Sequence, residues 1–441
     1  MIKNSKLSDR EFLSVAIPFM ISTMTQPLLG AVDTAIAGRL PSADYIAAIA
    51  VGATIFNTLY WLFGFLRVST TAFSAQAMGK NSKEDISLAM YRPIIMAIGV
   101  ALVFLIFQYF IFNGAMWLIS PSKEVAQNIS VYFYLVIWGA PFVLSNYVIL
   151  GWLMGQRLIR YSMTMQISGN VINALLSVIF AIYFNMGILG IAIGTLTAQI
   201  ISTIMGIFFV IQTKALMKVS LKGILEKKAW LETLKVNEYL MKRTACLLIH
   251  NNIFIAVGAR FGTTILAVNG VLFQLNSIVS YSFDGFANAS SIFAGKSKGT
   301  DDLELLDETI KKSKKWMLVL CGFIIVVYTL LQNQMFTWFT SLDEVLKVLQ
   351  HYKYWLYVFP VVAGMGLVLY GIYTGTANTK VVFKSTFYGL IGFLIVTGLT
   401  LSWFKNHGLW MGVMTFYGIR SLVLINGLPQ LVSLKKYIQT Q

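Results

Sequence analysis

Charge is scarce in this sequence, and acidic charge is scarcest. Only 12% of the 441 residues are Asp, Glu, Lys or Arg, and bases outnumber acids 34 to 18. A soluble globular domain carries about a quarter charged residues, so a water-soluble fold is excluded. Cysteine is nearly absent. Cys246 and Cys321 lie in apolar runs without metal-ligand spacing, which excludes a disulfide framework and leaves each as a small buried hydrophobe. His250, His351 and His407 stand alone along the chain, and none reads as a ligand or a catalyst. The signatures HExxH and GxxxxGK(S/T) are missing. The absent phosphate-binding loop excludes nucleotide hydrolysis by this chain alone. The chain reads as a non-enzyme that needs no metal and no organic cofactor.

What the chain has in quantity is long apolar runs, with 57% of its residues hydrophobic. A bilayer span needs about 20 mostly apolar residues. Twelve such runs are readable, at approximately 12–39, 46–78, 90–118, 131–155, 160–184, 188–212, 238–259, 264–293, 316–339, 354–377, 382–404 and 408–432. The fold class is therefore an all-α polytopic membrane protein of twelve transmembrane helices. The first ten residues are polar, and the apolar run after them is too long for the h-region of a secretory signal. An even number of spans puts both termini on one side. If that side is the cytoplasm, 26 Lys and Arg lie on it and 6 lie opposite, with Arg67 and Arg420 inside spans. This bias predicts an inner- or plasma-membrane protein with both termini cytoplasmic. It also accounts for the net charge of +16 without a nucleic-acid partner, because the bases mark span ends.

The chain repeats itself at a shift of about 220 residues. "AGRL" at 37–40 falls on "VGAR" at 257–260, and "AMGK" at 77–80 on "SKGT" at 297–300. "MGQRLIR" at 154–160 falls on "TGTANTK" at 374–380, and "NMGILG" at 185–190 falls within one residue on "NHGLWMG" at 406–412. We read an N-terminal six-helix lobe over 1–212, a linker over 213–237 and a C-terminal six-helix lobe over 238–441. The linker, "TKALMKVSLKGILEKKAWLETLKVN", is basic and partly amphipathic, which suits a helix lying on the anionic inner leaflet. With six spans per lobe both copies share one orientation, the parallel repeat common among secondary transporters.

Charge inside a span is costly and marks function by default. Asp33 sits in "PLLGAVDTAIAGRL", about six residues inside the outer end of its span and so roughly 10 Å deep. Gly30, Ala31, Ala35, Ala37 and Gly38 surround it, leaving room for water or a neighbouring helix. Pro18 and Pro27 share that span and can kink it. Arg67, in "FGFLRVSTT", is a possible permanent partner for Asp33. Asp284, in "SYSFDGFANASS", has Arg243 and Arg420 as candidate partners. A static ion pair and a part in substrate or proton handling both remain open for these four residues. In span five, Asn170, Asn173 and Ser177 fall on one helix face, a row of neutral groups able to hold a proton and water. Thr195, with Thr197 and Gln199, carries a similar signal in span six. A lone carboxylate flanked by neutral polar groups suits a proton better than a dehydrated sodium ion. The residues therefore point to a proton gradient, with Asp33 as the switch.

"PLLGAVDTAIAGRL" and "AVGATIFNTLYWLFGFLRVSTTAFSAQAMG", with "GARFGTTILAVNGVLFQL" and "YSFDGFANASSIFAGKSKG" in the second half, resemble the multidrug and toxic compound extrusion (MATE) family, and most of all its DinF-type branch. The resemblance covers about 10–432. It implies two six-helix lobes around a central V-shaped cavity and export by alternating access, driven by a proton or sodium gradient. It places the main coupling residue at Asp33, with Asn173 and Thr195 beside it, and a proposed protonation-linked bend at Pro18. Some relatives carry a second aspartate in span five, where this chain has Ser177. The NorM-type branch uses acids in spans seven and ten, which are missing here at depth. The resemblance implies multidrug efflux, with amphipathic small molecules as partners of a monomer in the bilayer, and the lone carboxylate makes the expected coupling ion a proton; a sodium-coupled antiporter and a flippase for lipid-linked oligosaccharides, from the same superfamily, are the alternatives.

Overall fold

Short polar segments punctuate the apolar runs, and the helices start and stop at them. The computed structural model describes residues 7–24 and 43–439, and among them it holds helices and turns but no strand. In chain order the helices are α1 (Asp9–Met24), α2 (Ala43–Leu62), α3 (Phe65–Lys80), α4 (Lys83–Ile106), α5 (Gln108–Ile119), α6 (Lys123–Val136), α7 (Ala140–Gly155), α8 (Ile159–Val178) and α9 (Gly187–Gln212). They continue with α10 (Leu221–Ile224), α11 (Lys227–Ala259), α12 (Thr263–Thr300), α13 (Leu303–Phe339), α14 (Asp343–Tyr352), α15 (Tyr354–Gly375), α16 (Thr379–Phe404) and α17 (Asn406–Gln439). Ten stretches among the described residues are long and apolar enough to cross a membrane. The other two of the twelve spans have visible reasons for standing apart. Most of span one lies outside the described residues, with α1 covering its beginning. Span seven is the second half of the 33-residue α11, where Glu238, Lys242, Arg243, His250, Asn251 and Asn252 interrupt the apolar run.

The repeat is written in the backbone. Residues with left-handed φ recur at an offset of 220: Asn81 at 54° and Asp301 at 53°, Arg157 at 59° and Ala377 at 58°, Asn185 at 54° and Lys405 at 49°. Each pair ends or joins matching helices. The residue after the first pair caps the next helix in both copies, Ser82 accepting from the Asp85 N–H and Asp302 from the Leu305 N–H. The glycines repeat too. A side chain at Gly151 on α7 would collide with the Arg67 carbonyl of α3, and one at Gly371 on α15 with the Ala287 carbonyl of α12. Gly155 and Gly375, one turn on, meet Thr71 and Ser291 in the same way. Missing Cβ atoms let these helix backbones touch, the packing mode expected where lipid supplies no hydrophobic drive between helices.

By contact the chain divides into two units, Met24–Leu234 and Met1–Thr23 with Lys235–Gln441. In the first, α3 lies on α7 and α8 on α9; in the second, α12 lies on α15 and α16 on α17. The second unit also holds α1. Phe12 packs on Phe286 and Phe293 of α12, and the Thr23 hydroxyl donates to the Tyr281 carbonyl at 2.9 Å. Gly285 is pressed against the backbone of Met20. At its start, Asp9 accepts from the Trp316 indole at 2.7 Å and pairs with Lys315 at 2.9 Å and Lys312 at 3.2 Å on α13.

The linker differs from expectation. Instead of a surface helix, residues 215–220 are irregular, α10 is a single turn, and the rest joins α11. The cause is a polar clamp from α4. Ser87 accepts from the Met217 N–H, Tyr91 donates to the Met217 carbonyl, and Arg92 donates to the carbonyls of Gly223 and Ile224 and pairs with Glu226. These bonds occupy backbone groups that a continuous helix would have used itself.

Candidate functional site

In the first unit the polar row lies on α8. Asn173 and Ser177 are buried, at 5% and 0% exposure, and Asn170 precedes them on the same face, half-buried and in polar contact. The Asn173 Oδ1 and the Ser177 Oγ have no hydrogen-bond partner among the described residues. Polar atoms left open in a buried place cost free energy; Asn173 Oδ1 can only accept, while the Ser177 hydroxyl can donate or accept. Gly194 on α9 makes the place tight: a Cβ there would lie 2.8 Å from the Ser177 nitrogen. Thr195 follows it, half-buried on α9. One residue past α8 proper, Ile179–Tyr183 widen into a π-turn, a distortion frequent at functional sites.

The carboxylate expected to face this row, Asp33, lies outside the described residues, as does Pro27. Pro18 lies inside α1, half-buried, and the helix runs through it unbroken from Asp9 to Met24. Arg67 is half-buried on α3 and forms no ion pair among the described residues. A second network was not anticipated. Asn146 on α7 donates to the Gln199 side chain at 3.1 Å and accepts from the Thr203 hydroxyl at 3.0 Å. The lone Asn in "FVLSNYVIL" was the available signal.

In the second unit the structure gathers charged and aromatic groups from α11, α12, α15 and α17. The Arg243 guanidinium lies 4.4 Å from the centre of the Tyr370 ring, and that of Arg420 lies 5.3 Å and 5.4 Å from the Phe416 and Tyr417 rings. Arg420 is 3% exposed and within electrostatic reach of Arg243, Tyr370, Tyr417 and Asp284. The sequence left two partners open for Asp284; the structure places Arg420 within electrostatic reach of it, and Arg243 within reach of Arg420. His250, which stood alone in the sequence, is 1% exposed. It stacks on Phe416 at 4.1 Å and meets the edge of Phe393 at 4.5 Å, with its Nδ1 3.0 Å from the Asn251 Oδ1. Nothing local in the sequence marks it, because its partners come from α16 and α17. Farther along, Asn269 and Asn406 exchange two hydrogen bonds, of 2.8 and 2.9 Å, and Trp410 donates a third to Asn269.

Comparison with known proteins adds to this geometry. The MatE family profile matches residues 18–179 and 243–400, one match in each half. The chain is 30% identical over 421 residues to DNA damage-inducible protein F of Escherichia coli K12, covering 95% of this chain and 91% of that protein. It is 21% identical over 419 residues to multidrug resistance protein MdtK of Yersinia pseudotuberculosis, covering 91% of each. Among solved structures, a MOP superfamily transporter from Pyrococcus furiosus superposes with a TM-score of 0.88 at 17% identity, over 98% of this chain and 97% of that one. A MATE in a straight conformation gives 0.87 at 18% identity, over 98% of each chain.

Proposed function

The chain belongs to the MATE family, whose members are membrane transporters rather than enzymes, and from this premise we propose that it is a proton-coupled antiporter. It exports amphipathic small molecules by alternating access, Asp33 takes up and releases the coupling proton, and both termini face the cytoplasm. The observation that carries the reading is the buried Asn173 Oδ1 on α8, an acceptor with no partner among the described residues, beside the Ser177 hydroxyl, which can donate or accept. A protonated carboxyl donates a hydrogen bond to such an oxygen; an ionised one cannot. A proton on Asp33 would thereby favour the arrangement in which it meets this row, and a gradient drives export only through such a difference between states. A sodium ion calls instead for several converging oxygens.

The test is proton release. Purified protein in weakly buffered detergent is mixed with cationic and anionic amphiphiles while a pH dye reports released protons. Wild type should release protons on binding and Asp33→Asn should not. In proteoliposomes under an imposed pH gradient, the variant's export should fall about tenfold or more, roughly 1.4 kcal/mol of lost coupling. Equal proton release from both proteins would falsify the role of Asp33. Binding without release from either would point to sodium coupling or to a lipid-linked substrate.

A further inference from the structure

We infer that the second unit carries its own oxyanion-binding site, formed by Arg243 and Arg420, which takes the carboxylate, sulfonate or phosphate group of an amphipathic ligand. The inference deepens the export reading by naming a substrate class, and it does not depend on Asp33.

Three observations lead to it. First, the two guanidiniums lie within electrostatic reach of each other, and among the described residues Asp284 is the one carboxylate within reach of Arg420. Two fixed positive charges against one acid leave the cluster cationic, and an isolated buried cation is expensive unless something pairs with it. Second, the nitrogens are not used up. The Arg243 Nε and the Arg420 Nε are both buried without a hydrogen-bond partner, and neither arginine forms an ion pair with a described residue. The rings of Tyr370, Phe416 and Tyr417 lie near the guanidiniums, and cation–π contact of this kind eases burial. It leaves the buried Nε–H of each arginine without an acceptor among the described residues. A further donor, the Asn288 Nδ2, is buried and unpartnered one turn from Asp284 on α12. Third, the site is built. Gly389 on α16 admits Arg420, whose Cγ would lie 3.1 Å from a Cβ there, so the side chain is seated among helices and not draped over a surface. Planar guanidiniums donate in pairs to oxyanions, and the neighbouring rings suit an apolar body attached to the anion.

Full-length protein in nanodiscs of zwitterionic lipid is titrated with two fluorescent probes that share a dansyl body, dansylglycine as the anion and a dansyl trimethylammonium as the cation. Wild type, Asp33→Asn, Arg243→Gln, Arg420→Gln and Arg420→Lys are compared. Arg420→Gln and Arg243→Gln should each weaken the anionic probe about tenfold or more, the usual scale of one hydrogen bond to a charged group, with cation binding unchanged. Arg420→Lys, which keeps charge and fold but loses the planar fork, should recover only part of the loss, and it covers the case in which the Gln variant misfolds. In the Asp33→Asn background, Arg420→Gln should still weaken the anionic probe about tenfold, which separates failure of this site from failure of the coupling reading. Adding phosphatidylglycerol to the nanodiscs distinguishes the sources of the oxyanion: competition with dansylglycine marks a lipid headgroup, and indifference marks a free amphiphile. Unaltered anion binding in both the Gln and the Lys variants overturns the site, as does equal weakening of both probes.

Discussion

Position 173 in the first half is asparagine and its counterpart 393 in the second is phenylalanine; 177 is serine and 397 threonine; 64 is glycine and 284 aspartate. Between these differences the two halves keep three left-handed joints, one side-chain helix cap and two pairs of touching glycines, 220 residues apart. The contrast separates what a duplicated scaffold must retain from what it is free to change. Where two helix backbones touch, only hydrogen fits, and a left-handed joint fixes the direction of the next helix, so these positions are held in both copies. Side chains away from such contacts have diverged into different chemistry. The first half presents neutral acceptors on α8, suited to a proton. The second presents two arginines, aromatic rings and a buried histidine, suited to an anion.

The harshest way to break the shared scaffold is to fill a touching glycine. Gly371→Ala forces a methyl against the Ala287 carbonyl, and Gly151→Ala does the same at the Arg67 carbonyl with slightly more room. Overpacking against backbone should cost about 3 kcal/mol or somewhat more at Gly371 and less at Gly151, read as loss of thermal stability in detergent. Equal indifference at both sites would mean that these contacts do not hold the halves. A gentler substitution sharpens the difference in chemistry. Asn173→Leu removes an acceptor that has no partner among the described residues, so stability should stay within ~1 kcal/mol of wild type while proton-driven export falls. A large stability loss with normal export would show the row on α8 to be structural.

The smallest effect concerns α1. Hydrogen bonds from Lys315 and Trp316, with the charge of Lys312 nearby, hold the Asp9 carboxyl at about 2 against its ordinary 3.8. A folded-state value below the unfolded one means the tether is present in full above pH 3.8 and is lost as pH falls towards 2. Asp9→Asn should therefore lower the melting temperature slightly at neutral pH, and the gap to wild type should close over that acid window. A gap that persists unchanged at low pH would assign the effect to packing of α1 instead of its charge.

Several parts of the candidate site were legible because their signal is local. Asn170, Asn173 and Ser177 share a face by helical periodicity alone, and Asp33 is conspicuous as an acid in an apolar run. Arg243, Asp284 and Arg420 were visible as charges inside spans. Their common neighbourhood was not, since each sits on a different helix. His250 was invisible for the same reason: its meaning comes from Phe393 and Phe416, more than a hundred residues away in the chain.

By itself the sequence determined the all-helical membrane class, the placement of the apolar runs and the period of the repeat. These follow from composition and spacing, which act over one helix or less. Only the tertiary structure decided that α1 draws its packing from α12 and α13, that Arg92 clamps the linker into a bend, and that two arginines and one acid share a neighbourhood. Those outcomes depend on which helix faces lie against each other, and packing between distant segments leaves no periodic trace along the chain.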